Sequence, residues 1–132
     1  MPHLQFEFNL KLPESQKITF TEQVRSLFSD IMDTGTDHIS ISIREFDTYN
    51  LSIGRVNEPE KGVAVVNAEN REGRTIDKRR ALTLGFMELI NKTMNIPLSH
   101  MYVTITEHKG ADFHLFEKYL ASWQEGEDPL AD

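Results

Sequence analysis

Val63-Ala64-Val65-Val66-Asn67-Ala68-Glu69-Asn70-Arg71-Glu72-Gly73-Arg74-Thr75 is the stretch on which the fold turns. Residues 63–68 read as apolar on both faces of an extended chain, as a central strand covered on both sides must be. Residues 70–75 then form a strand-to-helix turn. Thr75 is a good N-cap, and Asp77 falls in the first turn, where a negative charge suits the helix dipole. Leu82, Phe86, Leu89 and Ile90 supply the core stripe of a helix reaching about residue 94, closed by Asn95 and Pro97. Met101, Val103 and Ile105 make the next strand, with Tyr102 and Thr104 on its opposite face.

Working outward, the same unit stands earlier in the chain. Leu4, Phe6, Phe8 and Leu10 alternate over a strand of about residues 3–10. Thr19 and Glu22 form a capping-box pattern for a helix of about 20–33, with Val24, Leu27, Phe28 and Ile31 as its stripe and Gly35 as its C-cap. Ile39, Ile41 and Ile43 give a second strand, about 38–46. Residues 51–56 are expected as a short hairpin arm and 57–62 as its turn. Phe113, Phe116 and Leu120 suggest a final helix of about 112–123, and the tail beyond Trp123 is expected to be mobile.

The chain is thus strand–helix–strand written twice, as pseudo-repeats of about 2–56 and 62–113 within a single domain of residues 1–124 and an acidic tail of 125–132. Each unit is expected to be a right-handed crossover with parallel strands. The class is α/β (α+β): a mixed four-stranded sheet with two helices on one face. The opposite face has no remaining segment to cover it, which predicts self-association.

The 132 residues suit one domain with a real core. A hydrophobic share of 39% and no long apolar run fit a soluble protein without a membrane span. The net charge of −7 argues against a nucleic-acid partner. Zero cysteines exclude disulfides, thiolate metal sites and thiol nucleophiles. With no secretory signal at the start, the expected location is cytoplasmic.

Within this acidic chain Arg71, Arg74, Lys78, Arg79 and Arg80 form a basic island. Arg71 and Arg74, just before a helix N-terminus, suit an anion, although read alone they are more simply a solvated basic turn around Gly73. If Met1 is removed, Pro2 presents a secondary amine able to act as a base near neutrality; otherwise it is the ordinary start of a strand. Tyr102 reads alone as a packing tyrosine. The five histidines show no metal-ligand spacing, and no phosphate loop or nucleophile elbow is present.

Taken together, these parts resemble the tautomerase superfamily. The resemblance runs from the penultimate Pro2 through Glu72-Gly73-Arg74-Thr75, then Ile96-Pro97-Leu98-Ser99-His100-Met101-Tyr102-Val103-Thr104-Ile105-Thr106-Glu107, to Gly110-Ala111-Asp112-Phe113. The second half looks like 4-oxalocrotonate tautomerase. The first, with Phe46-Asp47-Thr48-Tyr49, is similar to 5-carboxymethyl-2-hydroxymuconate isomerase. The two-unit length is similar to macrophage migration inhibitory factor and cis-3-chloroacrylic acid dehalogenase.

This resemblance implies a homotrimer with active sites at subunit contacts. It implies Pro2 as general base, Arg74 and Arg71 as binders of a small carboxylate substrate, and Tyr102 and Phe113 as further substrate contacts. Val65 and Met101 are candidates for an apolar pocket. The implied activity is cofactor-independent, metal-free isomerisation of unsaturated 2-oxo or 2-hydroxy carboxylates of the 5-carboxymethyl-2-hydroxymuconate or 2-hydroxymuconate type, as in aromatic degradation. The alternatives are a dehalogenase, hydratase or decarboxylase, a catalytically silent trimeric binding protein, or a plain interaction domain. Against dehalogenation stand Asp30 where that branch carries histidine, Thr104 where it carries tyrosine, and Leu115 near its water-activating glutamate, with Glu117 two residues off.

Overall fold

A computed structural model of the chain describes residues 2–115, 118, 119, 121 and 123–127. β1 (His3–Phe8), α1 (Glu14–Met32) and β2 (Ser40–Glu45) form the first unit. β3 (Ala64–Arg71), α2 (Ile76–Met94) and β4 (Met101–His108) form the second. Strands are parallel within each unit, and the units join through antiparallel β1 and β3, giving a mixed sheet in the order β2-β1-β3-β4.

The alternating apolar residues build the core directly. Leu4, Phe6 and Phe8 of β1 and Ala64, Val66 and Ala68 of β3 face Phe20, Val24, Phe28 and Met32 of α1 and Leu82, Phe86 and Ile90 of α2. Phe6 is the hub, meeting Phe20 edge-on at 5.2 Å and Phe86 at 5.3 Å between ring centroids. Such pairs add about 0.5–1.5 kcal/mol beyond area burial.

The other sheet face is polar. Gln5 donates to Glu69 at 2.8 Å, Asn67 donates to Thr104 at 2.8 Å, and His3 hydrogen-bonds Ser42 at 2.9 Å. This cross-strand ladder satisfies its own groups, so the face does not demand apolar cover.

Four local expectations are corrected. α1 begins at Glu14 rather than near residue 20, because Pro13, with its φ fixed at −58°, presents its carbonyl to the N–H groups of Gln16 and Lys17. Thr19 is then a mid-helix residue and caps nothing. The helix ends on Asp33 in the left-handed conformation, two residues before Gly35. Residues 51–56 form no strand: Leu51, Ile53 and Val56 line a small cavity with Pro59 and Val63 instead of pairing, and Pro59–Lys61 is a 3-10 turn. Where a helix of 112–123 is expected, the described residues form a 3-10 turn at Gly110–Asp112 and an antiparallel pair of short strands, β5 (His114–Leu115) and β6 (Lys118–Tyr119). Phe113 is extended there, its ring edge-on to His108 at 5.4 Å. Phe116, Glu117, Leu120 and residues 128–132 of the tail lie outside the described residues, as does Met1. No helix among the described residues is long and apolar enough to cross a membrane.

Candidate active site

The crossover topology decides which residues meet. Parallel pairing sets the start of β2 beside the start of β1, with the Ser40 N–H donating to the Pro2 carbonyl at 3.0 Å. Antiparallel pairing sets the end of β3 on the other side: His3 lies opposite Glu69, so one step further places Pro2 level with Asn70. Pro2 is buried, and around this end of the sheet His38, Asn70, Arg71 and Arg74 are buried as well.

Four polar side chains in one buried place are costly unless they are partnered. Several atoms here have no hydrogen-bond partner among the described residues: His38 Nδ1, both amide atoms of Asn70, and the Nε atoms of Arg71 and Arg74. Arg71 donates from Nη1 to the Ala121 carbonyl at 2.9 Å, and its Nη2 pairs with the Glu127 carboxylate. Arg74 donates to the Met32 carbonyl at 3.3 Å and stacks over the Trp123 ring, 4.7 Å from its centroid.

The electrostatics report the same crowding of positive charge. Burial, reinforced by Arg71 and opposed by Asp33, pushes the Arg74 guanidinium down to about 9, which leaves it charged at neutral pH but in need of an anion. Burial lowers Arg71 as well. His38 is pushed down to about 4 by burial first, then by the positive chain terminus, Arg71 and Arg74, against a weaker opposing pull from Asp37. It is a neutral imidazole at pH 7, able to donate or accept a hydrogen bond but not to supply charge.

The chain folds back over this site. The Trp123 N–H donates to the Glu72 carbonyl at 2.9 Å, and the Gly126 N–H donates to Asp33 at 3.3 Å. Gly73 permits this: its φ is +125°, and a Cβ there would stand 2.6 Å from the Trp123 carbonyl oxygen. An open cleft of about 520 Å³, lined among others by Asp30, Asp33, Gly126 and Glu127, adjoins the pair of Arg71 with Glu127.

The structure thus gathers Pro2, Arg71 and Arg74 at one end of the sheet. Phe113 stands at the same end, against His108, which is level with Arg71 in the β3–β4 register. Tyr102 does not join them. It pairs with Val65, which is level with Glu7, so five residues separate it from Pro2 along the strands, about 17 Å at the usual rise. It is 56% exposed on the outer face of an edge strand. Val65 and Met101 are at that far end too and wall no pocket around Pro2.

His38, Asn70, Trp123 and Glu127 were not singled out as site residues by sequence reasoning. For His38 a signal existed: the residues leading into a parallel partner strand must lie beside the first strand's start, and His38 is two before β2. Trp123 and Glu127 depend on the fold-back, for which only Gly73 hinted. Among the described residues, no group of three His, Asp or Glu side chains is arranged to hold a metal ion.

No protein-family model matches the sequence, and no curated protein matches it significantly. Solved structures do match. The F6 fused 4-OT, an asymmetric trimer, aligns with a TM-score of 0.77 at 20% identity over 89% of this chain and 94% of that one. N1, a member of the cis-3-chloroacrylic acid dehalogenase family, gives 0.80 at 16% identity over 96% and 85%. Macrophage migration inhibitory factor of Toxoplasma gondii gives 0.76 at 8% identity over 89% and 99%. At these TM-scores this chain, with its mixed four-stranded sheet built from two β-α-β units, shares their fold. The fold of this chain is the tautomerase-superfamily fold.

Proposed function

We propose that the protein is an enzyme of this superfamily, a cofactor-independent isomerase of small unsaturated 2-oxo or 2-hydroxy carboxylates with Pro2 as its base. The observation that carries the reading is the convergence of buried Pro2 with two buried guanidinium groups at one end of the sheet. With Met1 removed, the Pro2 amine takes the proton of an enol hydroxyl or an activated C–H, leaving a dienolate. The prolinium then returns that proton to another carbon, so the product is an isomer and the base is regenerated. Arg74 holds the carboxylate by charge-assisted hydrogen bonds, and its field stabilises the dienolate as charge develops. Burial and the Arg74 cation favour the neutral, basic form of the amine.

The assembly is part of the proposal. In a homotrimer, a neighbouring subunit can bring the exposed end of β4 to this site, so that the partner subunit's Tyr102 supplies the aromatic hydroxyl that the chain's own Tyr102 cannot. Structural relatives described as trimers support a trimeric assembly. A second reading, hydrolytic dehalogenation or decarboxylation, draws on structural relatives described as a dehalogenase family member and a malonate semialdehyde decarboxylase. Halide release from chloroacrylates separates it from isomerisation.

The test is an enol–keto assay on phenylenolpyruvate, which carries a single carboxylate. Turnover is expected, and Arg74→Ala is expected to lower kcat/KM by about 10²–10³-fold, the usual cost of one lost donor to a developing oxyanion. Full activity in that variant overturns the anchoring role.

A further inference from the structure

The two arginines of the site are not in the same electrical state. Both terminal nitrogens of Arg71 are committed within the chain, one to the Ala121 carbonyl and the other to the Glu127 carboxylate, and the side chain is only 2% exposed. Arg74 meets no carboxylate in direct contact among the described residues: its hydrogen bond goes to the Met32 carbonyl, and Trp123 covers its guanidinium plane. One guanidinium is therefore neutralised from within, while the other keeps its charge for a ligand. The cleft beside them is rimmed by Asp30, Asp33 and Glu127, three carboxylates. A ligand with a second carboxylate would meet a cation already paired and an acidic rim that repels it.

From this we infer that Glu127 is a specificity-determining residue, which by holding Arg71 restricts the site to substrates with a single carboxylate. The inference rests on Arg74 being the carboxylate anchor, and it narrows the proposed substrates from muconate-type dicarboxylates to 2-oxo or 2-hydroxy monocarboxylates.

Trp123, the chain's one tryptophan, lies on Arg74, so its fluorescence reads occupancy of the site without any turnover. Titration of the full chain with 2-oxobutanoate (one carboxylate) and 2-oxoglutarate (two) should show the first binding at least about tenfold tighter. Glu127→Gln removes the charge but keeps the shape, and should shift the ratio of the two dissociation constants toward 2-oxoglutarate by about 10–100-fold, the worth of one charged hydrogen bond. Glu127→Asp should restore the wild-type preference. A ratio unchanged within about twofold in Glu127→Gln overturns the inference, because Glu127 would then be a displaceable competitor or a bystander. Wild-type preference for 2-oxoglutarate, or binding of neither acid, overturns it equally. A protein that binds with the expected preference yet isomerises no enol refutes the isomerase reading and leaves this inference standing.

Discussion

His38 and Arg74 occupy neighbouring places at the same buried end of the sheet, and their chemistry diverges for a physical reason. A guanidinium lowered to about 9 stays charged at pH 7, whereas an imidazole lowered to about 4 stays neutral. That depression ties His38 to stability. Above about pH 6.5 the ring is neutral both folded and unfolded, and adds nothing to the pH dependence. Below it the unfolded chain takes a proton that the folded chain refuses until about pH 4, so stability falls across that window, by at most about 3 kcal/mol. Chemical denaturation at pH 4.5 and 7.5 should show the loss in wild type and a flatter profile in His38→Gln; equal slopes in both would contradict it. Pro2, Arg71 and Arg74 were named from the sequence through the resemblance, Arg71 and Arg74 on one strand–turn–helix and Pro2 beside Met1, and the structure brings the three to one end of the sheet. His38 and Glu127 were not, because their nearness is made by parallel strand pairing and by a fold-back some fifty residues away.

At the level of elements, short-range rules succeeded where one signal acted alone and failed where two competed. Thr75 caps α2 as its spacing predicts, its hydroxyl accepting from the Lys78 N–H at 3.2 Å. At α1 a capping box at Thr19 competed with Pro13 upstream, and proline's fixed φ started the helix first. The fold-back of Ala121 and residues 123–127 depends on Gly73 having no side chain. Gly73→Ala should cost about 1–3 kcal/mol in backbone strain and push Trp123 off Arg74, seen as a red shift of its emission. Unshifted emission would mean that the segment does not rest on Gly73. The core makes a plainer demand: Phe6→Ala empties the hub between Phe20 and Phe86 and should destabilise the chain by about 3–5 kcal/mol in denaturant unfolding.

For the molecule as a whole, the antiparallel joining of β1 to β3 that makes the sheet mixed is set by no period, whereas the tandem units and their two helices were readable from hydrophobic periodicity in β1, α1, β2, α2 and β4. The far placement of Tyr102 was not, because alternation assigns a face of a strand but no position along the sheet relative to Pro2. The polar ladder of Gln5, Asn67, Glu69 and Thr104 likewise escaped a reading that counted apolar residues. The central claim, that the Pro2 amine is the base, is tested most directly by comparing two forms of the protein. In one, Met1 is removed, as verified by intact mass; in the other, Pro2 stays acylated by a retained upstream residue. The account predicts phenylenolpyruvate isomerisation by the first form and at least a hundredfold less by the second, at the order of magnitude a positioned base supplies, with unchanged thermal unfolding. Equal rates in the two forms would contradict it.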